Sequence, residues 1–352
     1  CDGPMLLLAG PGSGKTTVIT HRIKYITEEH GVRPDNILVI TFTKAAANEM
    51  KGRFQELCPG VRGVTFGTFH SVFFWILRNA YNYTAANIVT DSEKYGVIRD
   101  SIDRHGFRYD SQEDFAKNVV GEIGNVKSGR VSLENYESTT MKPEDFRVVY
   151  DEYENFLRRC GKIDFDDMLV FTYELLSERP DILKMWQNKF RYILIDEFQD
   201  INMIQYDIVK LLAGERQNVF SVGDDDQSVY GFRGAAPAIM KKFPEDFHGT
   251  VIEYLNVNYR CSYDIVECSK RIIQNNRDRY EKQLRSAFAA GQSDRVHIVK
   301  TDSMTEQNKK IIDRITELNR AGIPYREMAI IFRTNTEPRA LASKLMENGI
   351  PF

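Results

Sequence analysis

Short apolar runs that stop abruptly at polar residues set the pattern of this chain. Runs of strand length occupy residues 5–9, 37–42, 192–195, 219–222 and 250–255. Each is almost continuously apolar, which is typical of a strand buried on both faces of a parallel sheet. Amphipathic segments lie between the runs, the first at residues 18–26. The pattern therefore predicts an α/β fold in which helices flank a parallel sheet.

The pattern changes at about residue 78 and returns at about residue 163. Between these points strand-like runs vanish, polar and charged residues dominate, and apolar residues recur at helical spacing. This predicts a helical domain inserted into the α/β domain. Its basic residues Lys127, Arg130 and Lys142 are interpreted as a solvated face in preference to a contact with a phosphate backbone.

Three aspartates mark the end of the insertion, at positions 164, 166 and 167. They precede an apolar segment of helical period, where Asp is the expected N-cap and first-turn residue. We therefore prefer a capping role for them over a metal site.

Helices and strands alternate again towards the end of the chain. Residues 265–273 have helical spacing, and apolar runs at 296–299 and 328–332 predict strands. A helix is predicted between those runs, at about 306–318, and a last helix at about 338–348.

Composition and charge narrow the class of protein. A chain of 352 residues predicts two or three domains. The formal net charge is −3, so a nucleic-acid site has to be a local groove. The five cysteines are scattered without C-x-x-C spacing, which argues against a zinc or iron–sulfur site and for a reducing compartment. Neither a membrane-length apolar run nor a signal peptide is evident, and we expect a cytoplasmic protein.

The first apolar run opens into a glycine-rich loop that leads into a helix. The loop matches the P-loop pattern G-x-x-x-x-G-K-[ST], with the small residue Ala9 in place of the first glycine. Backbone N–H groups of such a loop cradle phosphates at a helix N-terminus. We expect Lys15 to reach the β- and γ-phosphates and Thr16 to bind Mg²⁺. The candidate loop residues are Ala9, Gly10, Pro11, Gly12, Ser13, Gly14, Lys15, Thr16 and Thr17.

Acidic and amide residues follow two later strands. Asp196 and Glu197 directly follow the run 192–195, which is a Walker B arrangement. Asp196 is expected to hold Mg²⁺ through water, and Glu197 to orient and deprotonate the attacking water. Gln227 follows the next strand and is predicted to sense the γ-phosphate.

Aromatic rings beside hydroxyl and basic groups follow other strand ends. Such rings stack on bases while the donors hold phosphates, which suits single-stranded nucleic acid. For the segments around Phe42 and His70, core packing combined with helix capping is the other interpretation, and it stays open. The candidate DNA-binding residues are Phe42, Thr43, Lys44, Thr68, His70, Tyr230, Phe232 and Arg233.

Taken in order, several segments resemble the early motifs of UvrD/Rep/PcrA-type superfamily 1A DNA helicases. They are AGPGSGKT, TFTKAAANEM, GTFHS, DEFQD, VGDDDQSVYGFRGA and NYR. The resemblance runs from residue 5 to the last residue. It implies a RecA-like P-loop NTPase domain (1A) at 1–77 and 163–262, a helical insertion (1B) at 78–162, and part of a second RecA-like domain (2A) at 263–352.

The resemblance also implies roles for residues. Lys15, Glu197, Gln227 and Arg260 form the catalytic set, with Gln227 and Arg260 at the γ-phosphate. Tyr259 is expected to stack on adenine, while Thr16 and Asp196 serve the metal. The implied cofactors are ATP and Mg²⁺, and the implied partners are single-stranded DNA and single-strand/double-strand junctions. The implied activity is ATP-dependent 3′-to-5′ translocation and unwinding in DNA repair or replication.

Departures from the family pattern qualify these expectations. Thr17 stands where many relatives carry Arg, and Lys44 comes one place earlier than the usual Lys. The late motifs, which include a further arginine finger, are not found before Phe352. We therefore expect a truncated form with weak ATP turnover. The alternative hypothesis is a nucleotide-gated DNA-binding or regulatory subunit of a nuclease or defence complex, without unwinding. The complete catalytic set favours the motor, since a passive switch has no need of a general base.

Overall fold

The computed structural model describes residues 2–107, 112–229, 238–291, 296–334 and 337–352. In these ranges the chain forms two compact units that divide between residues 294 and 295. The first unit is built around a six-stranded sheet, and the second contains two helices.

The sheet of the first unit is parallel throughout, with strand order β3-β2-β4-β5-β1-β6. Five of its strands coincide closely with the apolar runs of the sequence, and β3 is an additional strand at one edge, so the predicted parallel α/β fold is confirmed. The six strands are β1 (Met5–Ala9), β2 (Ile37–Thr41), β3 (Thr65–Thr68), β4 (Tyr192–Ile195), β5 (Val219–Gly223) and β6 (Val251–Leu255).

Helices cover both faces of this sheet. The helices up to the end of the first unit are α1 (Lys15–Glu28), α2 (Lys44–Leu57), α3 (Phe69–Tyr81), α4 (Asp91–His105), α5 (Gln112–Gly129), α6 (Pro143–Cys160), α7 (Phe165–Glu178), α8 (Pro180–Lys189), α9 (Met203–Ala213), α10 (Ala238–Asp246) and α11 (Tyr263–Ile273). The short strands β7 (Val257–Asn258) and β8 (Arg285–Ser286) form a separate parallel pair.

Burial on both faces explains why the strands read as continuous apolar runs. Along β1, Leu6 and Leu8 enter a core formed with α3 and α7 to α10. The alternate residues Leu7 and Ala9 enter a second core formed with α1 and α2. Because side chains alternate between faces, both sets of positions have to be apolar.

Helices α4, α5 and α6 form the predicted helical insertion. They enclose their own core, which includes Ile98, Val119, Ile123, Phe146 and Val149. Among the described residues, no helix has the combination of length and apolarity that crossing a bilayer requires.

The interpretation of Lys127 as part of a solvated face was wrong. Its side chain is only 4% exposed, and its ammonium lies 2.9 Å from Asp164 Oδ2 and 2.8 Å from Asp167 Oδ1. It also contacts Glu154. Burial alone lowers the pKa of a lysine, but here the carboxylates, Asp164 first, raise it above its ordinary value. The ammonium is therefore a charged link between α5 of the insertion and the start of α7.

The capping role of the aspartates is confirmed. The Asp164 carboxylate accepts from the Asp167 N–H at 2.8 Å, and the Asp167 carboxylate accepts from the Asp164 N–H at 3.0 Å. This reciprocal pair is a capping box at the N-terminus of α7.

The other two basic residues of the insertion differ from one another. Arg130 pairs with Asp207 of α9, and its guanidinium lies 4.4 Å from the centre of the Tyr173 ring. The Arg130 side chain is still 39% exposed, which agrees with the solvated-face interpretation. Lys142 is exposed, as that interpretation expected.

In the second unit the predicted helices are confirmed, as α12 (Met304–Arg320) and α13 (Arg339–Glu347). The strands predicted at 296–299 and 328–332 were wrong, since neither segment is a strand in the described chain. Ile298 is 88% exposed and Ile331 is 92% exposed. An apolar run becomes a strand only when a neighbouring strand takes up its backbone hydrogen bonds, and the described part of this unit offers none.

Candidate nucleotide and DNA site

The glycine-rich loop has the backbone that its sequence predicts. Gly12 and Gly14 have positive φ angles of 64° and 91°, a region that side chains disfavour. A Cβ on Gly12 would also lie 2.7 Å from the Cβ of Arg260. The Ser13 hydroxyl donates to the Gly10 carbonyl at 2.6 Å, which closes the turn. The loop thus ends at Lys15, the first residue of α1, with the N-terminus of that helix facing a cleft.

This cleft, of about 660 Å³, brings together most of the predicted nucleotide site. The predicted residues on its wall are Pro11, Gly12, Ser13, Gly14, Lys15, Thr16, Thr17, Asp196, Glu197, Gln227, Tyr259 and Arg260, with Phe42 and Thr43 from the DNA-binding set. Two predicted residues lie elsewhere. Ala9 is fully buried in the core, and Gly10 lines a second, neighbouring cavity.

An ion pair crosses the cleft. The Lys15 ammonium lies 2.7 Å from Glu197 Oε2, and the two side chains are 12% and 35% exposed. Gln199 donates to the same carboxylate oxygen at 2.8 Å. Glu197 has a φ of 49°, which is unusual for a residue with a side chain and marks a backbone held by its surroundings. The general-base candidate is therefore fixed beside the lysine that is expected to meet the phosphates.

Asp196 has the properties of a cation ligand. Only 6% of the residue is exposed, and its Oδ1 has no hydrogen-bond partner among the described residues. Burial, and then the neighbouring Glu197, raise the pKa of Asp196 to about 6. Mg²⁺ prefers hard oxygen ligands, and Thr16, whose side chain carries a hydroxyl, lines the same cleft. The residues present thus fit a Mg²⁺ ion that neutralises this carboxylate.

Gln227 is held by groups that the sequence analysis did not single out. Its side-chain amide donates to Asp224 Oδ2 at 2.6 Å. The backbone N–H of Asp224 donates in turn to the Gln199 side-chain carbonyl at 2.9 Å. Because Gln199 also touches Glu197, a continuous path of hydrogen bonds joins the general-base candidate to Gln227, the predicted phosphate sensor. The polar residues within the motifs DEFQD and VGDDDQ were the sequence features that could have indicated Gln199 and Asp224.

Tyr259 and Arg260 are presented to the cleft by Asn258, a further residue missed from sequence. Asn258 is 1% exposed, and its amide donates to the Pro11 carbonyl at 2.7 Å. Its Oδ1 accepts from the Arg260 N–H at 2.8 Å. Tyr259, anchored by a backbone bond to the Gly12 carbonyl at 3.0 Å, is 65% exposed. An exposed ring beside the P-loop is suited to stacking on a base.

The predicted DNA-binding residues are only partly described. Tyr230, Phe232 and Arg233 lie outside the described residues. The Thr43 and Thr68 hydroxyls cap helices α2 and α3, accepting from backbone N–H groups at 3.1 and 3.2 Å. This is the capping role that the sequence analysis left open, and a DNA contact by these residues stays a prediction. Lys44 is exposed at the first position of α2.

His70 lies in an aromatic pair. Its ring centre is 5.4 Å from that of Phe165, edge to face, and Phe165 is 47% exposed. Burial lowers the pKa of His70 to about 4, so the imidazole is neutral at physiological pH. Phe165 lies among the three aspartates that were interpreted as capping residues, and it presents an exposed ring beside a predicted DNA contact.

Comparison with known proteins agrees with this geometry. Residues 1–248 match the family described as UvrD/REP helicase N-terminal domain, and residues 253–352 match the UvrD-like helicase C-terminal domain. Proteins named ATP-dependent DNA helicase PcrA from Staphylococcus epidermidis and Staphylococcus aureus are each 36% identical to the whole chain. The chain spans about half the length of these curated relatives, 49% and 48%. On the extent of these matches, the chain belongs to the UvrD/Rep helicase family.

Proposed function

We propose that this chain is the ATP-hydrolysing part of a DNA helicase that moves 3′ to 5′ along single-stranded DNA, in DNA repair or replication. The observation that carries the proposal is the meeting of Lys15, Glu197, Gln227 and Arg260 on one cleft. These residues come from four separate segments of the chain, and together they supply phosphate binding, a base and γ-phosphate contacts. The relatives' names support the ATP-dependent DNA helicase part of this proposal.

The division of labour in the cleft follows from the contacts. Lys15 and the P-loop N–H groups bind the phosphates, while Tyr259 offers a face to the adenine. Mg²⁺, held by Thr16 and Asp196, would supply positive charge at the phosphate oxygens. Glu197 orients and deprotonates the attacking water once the phosphates replace it as the partner of Lys15. Gln227 and Arg260 meet the γ-phosphate from the remaining sides.

Single-stranded DNA is proposed to run past Phe42 and the His70–Phe165 pair. A neutral His70 offers a ring and hydrogen bonds without adding a positive charge. The same proposal includes binding to junctions of single-stranded and double-stranded DNA. It also includes the boundaries of domains 1A, 1B and 2A given above and a cytoplasmic location.

ATP hydrolysis with and without single-stranded DNA tests the proposal. We expect hydrolysis that DNA stimulates and that Lys15→Ala abolishes. Directional movement is followed with a fluorophore at the 5′ or the 3′ end of the strand, and arrival at the 5′ end is expected. Nucleotide-dependent DNA binding without hydrolysis would instead support the nucleotide-gated module. Absence of ATP binding would overturn both.

A further inference from the structure

A short segment beyond α11, residues 279–284, closes over the turn that carries Gln227. The turn begins with three consecutive aspartates, Asp224, Asp225 and Asp226. Arg279 binds Asp226 with two hydrogen bonds, at 2.7 and 2.6 Å. The Lys282 ammonium contacts all three carboxylates, including Asp226 Oδ2 at 2.8 Å. Every acidic side chain of the turn is therefore held by this segment.

Lys282 acts as the counter-ion of the cluster. A carboxylate oxygen of each aspartate lies within 4.8 Å of the others, and such like charges repel. The Lys282 side chain is only 5% exposed and occupies the place that a metal cation would take between the three. Burial alone lowers the pKa of Lys282, but the surrounding carboxylates, Asp224 first, raise it above its ordinary value. The lysine is therefore charged, and the cluster has no need of a metal.

Asp224 transmits this contact to Gln227. The residue is completely buried, and its Oδ1 accepts from Lys282 and from the Asp226 N–H at 3.2 Å. Its Oδ2 accepts from the Gln227 amide at 2.6 Å. The carboxylate that holds the phosphate sensor is thus itself held by Lys282.

The segment is also fixed to the rest of the site. A Cβ added to Gly10 of the P-loop would lie 2.7 Å from Leu284 Cδ1, so Leu284 packs directly on the loop. The Tyr280 hydroxyl donates to the Met240 carbonyl of α10 at 3.1 Å. Lys282 is therefore presented to Asp224 by an anchored backbone.

We propose that Lys282 is a positioning residue for ATP hydrolysis, acting through Asp224 on Gln227. The proposal rests on the proposed function of the cleft and adds to it a residue from outside its wall. Among the described residues that line the cleft, Lys282 is missing, so we expect it to act on ATP only through the groups that it holds. Its loss is expected to affect the rate of the chemical step and to leave ATP binding unchanged.

Lys282→Met keeps the length of the side chain and removes its charge, and Lys282→Arg restores the charge. The matched control is Lys241→Met, because Lys241 pairs with Asp278 on the surface, where the two side chains are 47% and 86% exposed. In the whole chain, kcat and KM for ATP are measured with saturating single-stranded DNA. Hydrogen exchange of the Asp226 and Gln227 amides is measured without nucleotide.

For Lys282→Met we expect kcat to fall about 10- to 100-fold with little change in KM, since small displacements of a positioned group cost this much. The backbone N–H of Gln227, which donates to the backbone carbonyl of Asp224 at 2.9 Å, should exchange its hydrogen faster. Lys282→Arg should recover most of both effects, and Lys241→Met should show neither. Arg279→Gln, which removes only the outer pair, provides a milder variant with a smaller effect in the same direction.

A lower melting temperature with unchanged kcat and unchanged exchange, measured below the melt, would overturn the proposal and leave Lys282 a purely structural residue. An increase in KM with constant kcat would overturn it too. If the unaltered chain neither binds nor hydrolyses ATP, the proposed function fails, and the exchange data still decide whether Lys282 holds the turn.

Discussion

Glu197→Gln is expected to separate ATP binding from hydrolysis. The Glu197 carboxylate accepts from Lys15 at 2.7 Å and from Gln199 at 2.8 Å. Gln has the same shape but no charge, and it is a far weaker base. In the proposed mode of binding, the phosphates of ATP displace Glu197 from Lys15. The variant has no ion pair to break, so its affinity for ATP should not decrease. It lacks the general base, so hydrolysis should slow.

The exposed fractions set the size of the effect on binding. The Lys15 and Glu197 side chains are 12% and 35% exposed, so water screens their attraction. Pairs of this kind contribute about 0.2–1 kcal/mol. Converted to affinity, ATP should bind Glu197→Gln equally well or up to about fivefold more tightly. Loss of a general base should lower the hydrolysis rate by about 10²- to 10⁴-fold.

Titration with a fluorescent ATP analogue measures the affinity, and a single-turnover assay on bound ATP measures the chemical step. Lys15→Ala is the control, because it removes the charge that meets the phosphates and should weaken binding strongly. A Glu197→Gln variant that binds ATP as poorly as Lys15→Ala would refute the assignment. Hydrolysis at the unaltered rate would refute it as well, since the base would then lie elsewhere.

Other variants test the DNA surface and the buried charges. Phe165→Ala should weaken single-stranded DNA binding by about 1–3 kcal/mol without changing the salt dependence, measured by fluorescence anisotropy; an equal loss for Tyr25→Ala, a similarly exposed ring, would contradict it. Lys127→Met should lower the free energy of unfolding by about 3–5 kcal/mol, because it strands buried carboxylates, while the exposed Lys142→Met should change it by less than about 0.5 kcal/mol in urea titrations. Burial lowers the pKa of His70 from 6.5 to about 4 in the folded protein. As pH falls through this window the unfolded chain takes up the proton first, so the free energy of unfolding decreases, and the contribution present above pH 6.5 is lost towards pH 4. His70→Gln should remove this decrease, which amounts to at most about 1.4 kcal/mol per pH unit.

Features encoded in consecutive residues could be predicted from the sequence. Strand β1, the P-loop and helix α1 follow one another without a break, and each has its own local signature. The acidic pair Asp196–Glu197 likewise follows directly from strand β4. In a parallel sheet, the carboxyl ends of all strands meet at one edge, so residues at several strand ends could be expected to share a site.

Features that depend on distant partners could not be predicted in this way. Lys127 has a charged side chain on a helix rich in polar residues, and only the folded structure shows that it is buried and paired with the carboxylates of Asp164 and Asp167. The run 328–332 has the composition of a strand, but pairing decides its structure. Phe165 and Asn258 escaped notice because their neighbours in the chain suggested a cap and a catalytic arginine, respectively.

The net charge of −3 conceals how the acids of this protein are distributed. Three examples in the described first unit are buried or half-buried carboxylates that pair with a lysine from a distant part of the chain. Lys15 is 182 residues from Glu197, Lys127 is 37 residues from Asp164, and Lys282 is 58 residues from Asp224. The side chains of Lys127 and Lys282 are 4% and 5% exposed, and their partners Asp164 and Asp224 are 2% and 0% exposed. Only at Lys15 is the carboxylate partner one-third exposed, so that an incoming anion can replace it. The ion pairs of Lys127 and Lys282 therefore stabilise the fold, whereas the carboxylate partner of Lys15 can be exchanged. Lys15 is also the lysine at which the phosphates are expected to bind.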